Sequence, residues 1–159
     1  MNLRELELLG EPHLRIAGLH LWIHGRQFPD ATDYWDGNWL RVTAYYVSPN
    51  AMVRAQGAIV HLSELASFLR ACERLHESLE GEAALECMEP NLSVTLIAQW
   101  NGAITTRVAI TPDQLSERHE FEETLDQSYL PTIISGSRAI LAAYPLQATN
   151  ELPPADLIG

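Results

Sequence analysis

The feature that most limits the fold of this chain is a β-hairpin signal in its second half. Asn101 and Gly102 stand between two runs that are rich in apolar and β-branched residues, residues 92–100 and 103–110. Asn-Gly is favoured in the tight turns that join antiparallel strands, because both residues adopt the backbone conformations of such turns at little cost. The hairpin therefore predicts an antiparallel sheet.

Further strands are predicted where apolar and β-branched residues alternate or run together. They cover residues 39–47, 52–60, 84–88 and 117–125, and the run 39–47 is expected to lie centrally because it is apolar on both faces. Near the N-terminus, residues 5–8 alternate, and the apolar phase changes across Ala17 and Gly18. This pattern predicts a hairpin whose long second strand carries a β-bulge at Ala17 and Gly18.

Two helices complete the predicted fold. The first is capped by Ser63 and has apolar residues at helical spacing. These residues are Leu65, Phe68, Leu69, Cys72, Leu75 and Leu79. The second helix begins after Asp126 or Ser128 and runs to about Tyr144, with Gly136 weakening it. The prediction is an α+β fold, a mainly antiparallel β-sheet packed by two amphipathic helices.

Length and charge narrow the class of protein. At 159 residues the chain fits one domain, predicted to span residues 1–146, with residues 147–159 as a mobile tail. Lys and Arg total 10 against 21 Asp and Glu, giving a net charge of −11. That charge disfavours direct binding of nucleic acid or anionic membrane and suits a basic partner. We expect a cytoplasmic protein with buried, reduced thiols at Cys72 and Cys87, since the sequence has no signal peptide and no run of membrane length.

The junction at residues 34–40 has an Asp-Gly-Asn turn between Trp35 and Trp39. One interpretation is a structural corner in which Trp39 is buried, and the other is a recognition loop with an aromatic hot spot. Both stay open at this level. The acidic residues around the loop, Asp30, Asp33 and Asp36, do not have the spacing of an EF-hand calcium loop.

Searching the sequence for chemistry gives a negative expectation. It has no phosphate-binding glycine loop, no nucleophile motif and no metal-ligand spacing, so neither a catalytic residue nor a cofactor or metal site is predicted. His20, His24 and His61 lie on or near predicted strands. We expect them to be hydrogen-bonded structural residues rather than ligands.

Three segments, in this order and spacing, resemble the WapI family immunity proteins of bacterial polymorphic-toxin systems. They are Gly-Arg-Gln-Phe-Pro at 25–29 followed by Tyr-Trp-Asp-Gly-Asn-Trp-Leu at 34–40, Met-Glu-Pro-Asn-Leu at 88–92, and Leu-Asp-Gln-Ser-Tyr-Leu at 125–130 followed by Tyr144 and Pro145. The resemblance implies a cytoplasmic protein that binds and blocks a cognate toxin domain. Several of its motif residues are expected to have structural roles: Asn38, Trp39, Glu89, Pro90 and Asn91.

The expected partner is a basic toxin domain, for example a nuclease, because complementary charge speeds encounter. The candidate contact residues are the exposed acids of the predicted loop and late strand together with two aromatic residues: Asp30, Asp33, Tyr34, Trp35, Asp36, Glu120 and Glu122. The alternatives are a non-catalytic adaptor or regulatory module and a small-molecule enzyme without a recognisable motif. The sequence does not indicate the oligomeric state.

Overall fold

Two four-stranded antiparallel sheets form the framework of a computed structural model that describes residues 3–148. The first sheet contains β1 (Leu14–Ile16), β2 (Leu19–Arg26), β3 (Trp39–Val47) and β4 (Met52–His61). The second contains β5 (Glu82–Glu86), β6 (Leu92–Ala98), β7 (Ala103–Ile110) and β8 (Glu120–Asp126). The helices are α1 (Leu3–Leu8), α2 (Leu62–Ser78) and α3 (Leu130–Ala143). The α+β class and the antiparallel pairing are confirmed, although the strands divide into two sheets where one was predicted.

The predicted hairpin is present between β6 and β7. Ala98 pairs with Ile104, and Gln99 N–H donates to the Ala103 carbonyl at 2.8 Å. Gly102 has a φ of 85°, so a glycine is needed at this point of the turn. The Asn101 side chain accepts a hydrogen bond from the Ala103 N–H at 3.1 Å and so stabilises the turn.

The N-terminal segment differs from its prediction. Ala17 and Gly18 form the turn between β1 and β2, where Ile16 pairs with Leu19, and the irregular register in β2 lies between Ile23 and Gly25. The alternating residues 5–8 belong to the helix α1. Four alternating residues fit about one helical turn as well as a short strand, so the period could not distinguish them.

Helix α2 begins two residues earlier than predicted. His61, not Ser63, is the capping residue, and its side chain accepts a hydrogen bond from the Ser63 N–H at 3.3 Å. Glu64 accepts from the His61 N–H at 2.8 Å, which completes a capping box. An imidazole nitrogen thus takes the role usually given to a serine or aspartate oxygen.

Both sheets and both long helices contribute to one apolar core. Strand β3 lies centrally in the first sheet, as predicted, and its alternate residues are buried. The Tyr46 ring on β3 stacks on Phe121 of β8 with centroids 4.1 Å apart, which joins the two sheets. Helix α3 approaches β1 closely at Gly136, where a β-carbon would lie 3.0 Å from the Leu14 side chain.

The end of the chain is only partly described. Gln147, the first residue of the predicted tail, is hydrogen-bonded to Asn38, while residues 149–159 lie outside the described residues and their mobility stays a prediction. Within the part of the chain that the structure describes, no helix is long and apolar enough to cross a membrane.

Candidate functional site

The segment between β2 and β3 forms a cluster of rings around His61, which we call the aromatic corner: Tyr34, Trp35, Trp39 and His61. The His61 ring lies 5.0 Å from Trp39, 5.3 Å from Tyr34 and 5.6 Å from Trp35, measured between centroids. His61 is fully buried, and its Nε2 lies 3.2 Å from the Trp35 carbonyl oxygen. Burial lowers the pKa of His61, although the carbonyls of Trp35 and Tyr34 oppose this effect. The imidazole is therefore a neutral packing and capping group.

Asn38 joins the aromatic corner to the segment after α3. Its side-chain N–H₂ donates to the Tyr34 carbonyl at 2.7 Å and to the Gln147 carbonyl at 2.9 Å. Its carbonyl oxygen accepts from the Gln147 N–H at 2.8 Å. Arg26 adds a parallel link, donating to the Gly37 carbonyl and to the Pro145 carbonyl, each at 2.6 Å. The loop, the strand and the segment after α3 are thus held together by polar contacts, of which all but the exposed Arg26–Pro145 bond are buried or half-buried.

Exposure separates the two tryptophans. Trp39 is half-buried, whereas the Trp35 side chain is 40 % exposed and rests on the buried ring of His61. Tyr34 is only 8 % exposed and meets Trp35 edge to face at 5.3 Å. Tyr34 therefore supports Trp35 from below and offers little surface of its own. The structure thus has a packed base of rings that carries one exposed indole, and recognition by that indole stays a prediction.

The loop that carries Trp35 also carries three exposed carboxylates. Asp30, Asp33 and Asp36 are all exposed, and the Asp33 carboxylate accepts a hydrogen bond from the Asp36 N–H at 3.0 Å. Asp33 therefore shapes the turn that precedes β3. The described residues contain no group of three or more His, Cys, Asp or Glu side chains placed to hold a metal ion.

The segment 88–91 is anchored by a residue that the sequence reasoning missed. The Glu64 carboxylate accepts from both the His61 N–H and the Met88 N–H, at 2.8 and 2.7 Å. Burial raises the pKa of Glu64, and the nearby Glu89 raises it further, against these hydrogen bonds. The detectable signal was the glutamate three residues after His61, which is the spacing of a capping box.

Asn91 is hydrogen-bonded to Thr111, the residue that follows β7. Its side-chain N–H₂ donates to the Thr111 carbonyl at 2.9 Å, and its own carbonyl accepts from the Thr111 N–H at 2.9 Å. Glu89 and Pro90 are exposed. The carboxylate that binds backbone at this position is that of Glu64, and Glu89 contributes through its charge.

The remaining candidate acids lie on β8. Glu120 and Glu122 are exposed on the outer face of the second sheet, while Phe121 and Leu125 point inward, as the alternation predicted. Glu122 lies 3.9 Å from the Arg107 guanidinium across the strand pair. Both side chains of that pair are more than half exposed, so the contact contributes little stability.

The two groups of acids form separate surfaces. The loop that carries Asp30, Asp33 and Asp36 is joined to the last residue of β2 by the hydrogen bond from Arg26 to the Gly37 carbonyl. Near the first residue of β2, His20 lines a cavity of about 400 Å³ together with Glu123 of β8. A strand of eight residues such as β2 spans about 25 Å. The aromatic corner and β8 are therefore at opposite ends of the first sheet.

An exposed aromatic residue that the sequence reasoning did not single out lies close to β8. Trp100, at the tip of the β6–β7 hairpin, is 96 % exposed. The next strand begins with Ala103, which pairs with Asp126 at the end of β8. No signal in the sequence indicated that Trp100 is exposed, because a tryptophan in a hairpin turn can also fold back onto the sheet.

The thiols and the other histidines have structural environments. Cys72 is buried, and burial raises its pKa to about 12. Cys87 is half-buried rather than buried, and desolvation again raises its pKa. His20 and His24 are hydrogen-bonded to the Gly18 carbonyl and to the Thr43 hydroxyl, as expected for satisfied histidines. A thiol with a raised pKa is protonated at neutral pH and is a poor nucleophile.

Comparison with known proteins gives one match. The sequence model of the immunity protein WapI-like family matches residues 13–145, from just before β1 to just after α3. No curated protein and no solved structure matches the chain. The matched range contains the aromatic corner, the segment 88–91 and β8.

Proposed function

Since this chain belongs to the immunity protein WapI-like family, we propose that it neutralises one cognate toxin domain by forming a stoichiometric complex with it in the cytoplasm. The toxin domain is basic, for example a nuclease, and it belongs to a polymorphic-toxin system. The observation that carries the proposal is the family match, which spans residues 13–145 and therefore nearly all of the described fold.

The charge of the chain supports a basic partner. With a net charge of −11, the protein attracts positively charged domains over distances of about 10 Å at ordinary ionic strength. Such attraction raises the rate of encounter more than it raises the final affinity. It also disfavours direct contact with nucleic acid, so the protein acts on the toxin and not on the substrate of the toxin.

The proposed contact residues are the exposed members of the candidate set. On the segment between β2 and β3 these are Trp35 with Asp30, Asp33 and Asp36, and on β8 they are Glu120 and Glu122. Trp35 has the character of an interface hot spot, because its large exposed indole is held from below by the packed rings of Tyr34 and His61. Tyr34 contributes indirectly by supporting that indole.

Coexpression tests the proposal. This chain is produced together with the C-terminal domain of the large secreted protein encoded next to it, in a host that the domain kills. We expect growth to be rescued, and the two proteins to copurify at a fixed ratio. The Asn38→Ala variant is the control for folding. It lacks the side-chain hydrogen bonds to Tyr34 and Gln147, so its rescue of growth should decrease with the fraction of the protein that is folded.

The alternative is an adaptor that binds a different protein. If the neighbouring domain is toxic and this chain neither rescues growth nor binds it, the immunity proposal fails. Copurification with a non-toxic partner from the native host would then support the adaptor.

A further inference from the structure

Strand β8 is the most regular open edge among the described strands. Of the other terminal strands, β1 has three residues and contacts α3, β5 packs against α2, and β4 has an irregular register opposite Leu40 and Arg41. Strand β8 has seven residues and pairs with β7 in an unbroken register. It is also the strand in which every residue is exposed or half-exposed.

The direction of the backbone groups of β8 follows from its pairing. The Ile110 N–H donates to the His119 carbonyl at 3.0 Å, and the hydrogen-bonded pairs of an antiparallel ladder alternate. Phe121, Glu123 and Leu125 therefore direct their N–H and C=O groups toward β7. The Thr106 hydroxyl agrees with this direction, because it donates to the Glu123 carbonyl at 3.0 Å. The backbone groups of Glu120, Glu122 and Thr124 consequently point away from the sheet.

These outward groups are available. In the hydrogen bonding of residues 3–148, no partner occupies the backbone N–H of Glu122 or Thr124. An open edge of this kind is a template for another strand, and proteins guard it with charged side chains. Glu120, Glu122 and Asp126 are such guards, since all three are exposed on the same face. These negatively charged side chains disfavour pairing with most strands, but they favour pairing with a strand that carries positive charge.

We infer that β8 accepts one extended segment of the cognate toxin as a fifth strand of the second sheet. This inference rests on the proposed function and identifies how the toxin is held. The segment carries Lys or Arg at alternate positions, where the side chains stand opposite Glu120 and Glu122. Main-chain hydrogen bonds supply the affinity in this mode of recognition, and cross-strand charge pairs supply the specificity.

A single substitution separates backbone pairing from side-chain contact. Thr124→Pro removes an outward N–H and leaves the ladder to β7 intact, because proline is tolerated at edge positions whose N–H faces solvent. Thr124→Val retains the N–H and the branched side chain, and it is the matched control. We expect Thr124→Pro to weaken binding of the purified toxin domain by at least roughly tenfold, and Thr124→Val to bind like the wild type. Circular dichroism and thermal unfolding of both variants establish that the fold is retained.

Amide hydrogen exchange of the wild-type complex gives a second measurement that does not depend on a substitution. The amides of Glu122 and Thr124 should exchange rapidly in the free protein and become protected when the toxin binds. Those of Glu123 and Leu125 should be protected in both states. Equal affinity of the Pro and Val variants, or unprotected amides at both positions in the complex, overturns the inference while the immunity function stands. If the wild-type chain does not bind the toxin domain at all, both the proposed function and this inference are overturned.

Discussion

Asn38 and Gln147 exchange two hydrogen bonds across 109 residues of sequence. The Asn38 side chain donates to the Gln147 carbonyl at 2.9 Å and accepts from the Gln147 N–H at 2.8 Å, in the manner of a paired strand. The same side chain also binds the Tyr34 carbonyl. One buried amide therefore fixes the loop before β3 and the segment after α3 relative to each other.

We expect Asn38→Ala to lower the free energy of unfolding by roughly 2–4 kcal/mol, since it leaves the buried Tyr34 carbonyl and the half-buried N–H and C=O groups of Gln147 without these partners. Urea denaturation measures this change. Asp36→Ala, two residues away and exposed, is the control and should change stability by less than about 0.5 kcal/mol. A loss under about 1 kcal/mol for Asn38→Ala would show that water replaces the lost contacts.

The two tryptophans of the aromatic corner should separate stability from binding. Trp39 is half-buried against His61, so Trp39→Ala should cost roughly 2–4 kcal/mol through lost packing. Trp35→Ala should cost less than half as much but should weaken toxin binding by at least roughly tenfold, as expected of a hot spot. Chemical denaturation and calorimetric titration of both variants provide the two numbers. The opposite order of effects would assign binding to Trp39.

Gly136→Ala tests the close approach of α3 to β1. In a free helix alanine is favoured over glycine by about 1 kcal/mol, so the substitution would ordinarily stabilise. Here the new methyl group would lie 3.0 Å from the Leu14 side chain and 3.1 Å from the His13 carbonyl, whose strand is fixed by pairing with β2. We therefore expect a net loss of about 1–2 kcal/mol in thermal unfolding.

Ser135→Ala, one residue earlier and exposed, is the matched control for the same helix. It should be neutral or slightly stabilising. If Gly136→Ala were as stable as Ser135→Ala, β1 would have to shift away from α3 without cost.

The buried His61 and the half-buried His24 predict loss of stability under mildly acidic conditions. The pKa of His61 is lowered from 6.5, mainly by burial, and that of His24 is lowered by burial, Arg41 and His13. A histidine with a lowered pKa takes up its proton more readily in the unfolded chain. Its contribution is therefore complete above pH 6.5 and is lost as the pH falls through the lower, folded value.

The variant His61→Asn isolates the share of His61 in this dependence. Asparagine is a good capping residue and does not titrate, so it retains the helix start and removes the proton linkage. Unfolding by urea between pH 7.5 and about 5 should show a shallower decline of stability in the variant, with the contribution of His24 remaining. An unchanged slope would mean that His61 is not linked to unfolding.

The fold was predictable where the signal was local. The hairpin at Asn101 and Gly102, the central strand β3 and the course of α2 follow from spacing and turn chemistry within a few residues. The predictions were wrong where the local conformation depends on contacts with residues that are distant in the sequence. Ala17 and Gly18 turn the chain because Val47 and Tyr46 pack against Gly18, and the cap of α2 is His61 because the aromatic corner buries that ring.

The candidate site was predictable only in part for the same reason. The sequence pattern was enough to predict that the acids of the loop and of β8 are exposed. It could not predict that the two groups lie near opposite ends of β2. The bond between Asn38 and Gln147 depends on where α3 ends, and no property of residues 34–40 indicates it. To predict that β8 is an open edge one needs the order of the strands in the second sheet, and the spacing of residues along the sequence does not give that order.

Because the loop acids lie beside Arg26 at one end of β2 and β8 lies beside His20 near the other end, their parts in toxin encounter can be measured separately. One variant neutralises the corner with Asp30→Asn and Asp36→Asn, and the other neutralises β8 with Glu120→Gln and Glu122→Gln. Asp33 is left unchanged because its carboxylate binds the Asp36 N–H. A third variant removes the same charge on α2 and its end, with Glu77→Gln and Glu80→Gln, and controls for net charge.

Stopped-flow association should then identify the surface that meets the toxin. If one of the two acidic surfaces faces the toxin in the encounter, neutralising its pair of acids should lower the association rate several-fold at low salt. Neutralising the control pair should have a smaller effect, because charge near the contact surface steers association more strongly than net charge. At about 1 M salt the Debye length is about 3 Å, and the association rates of all variants should converge. Equal slowing by all three pairs would mean that only the overall charge attracts the toxin, and the assignment of a contact surface to these acids would fail.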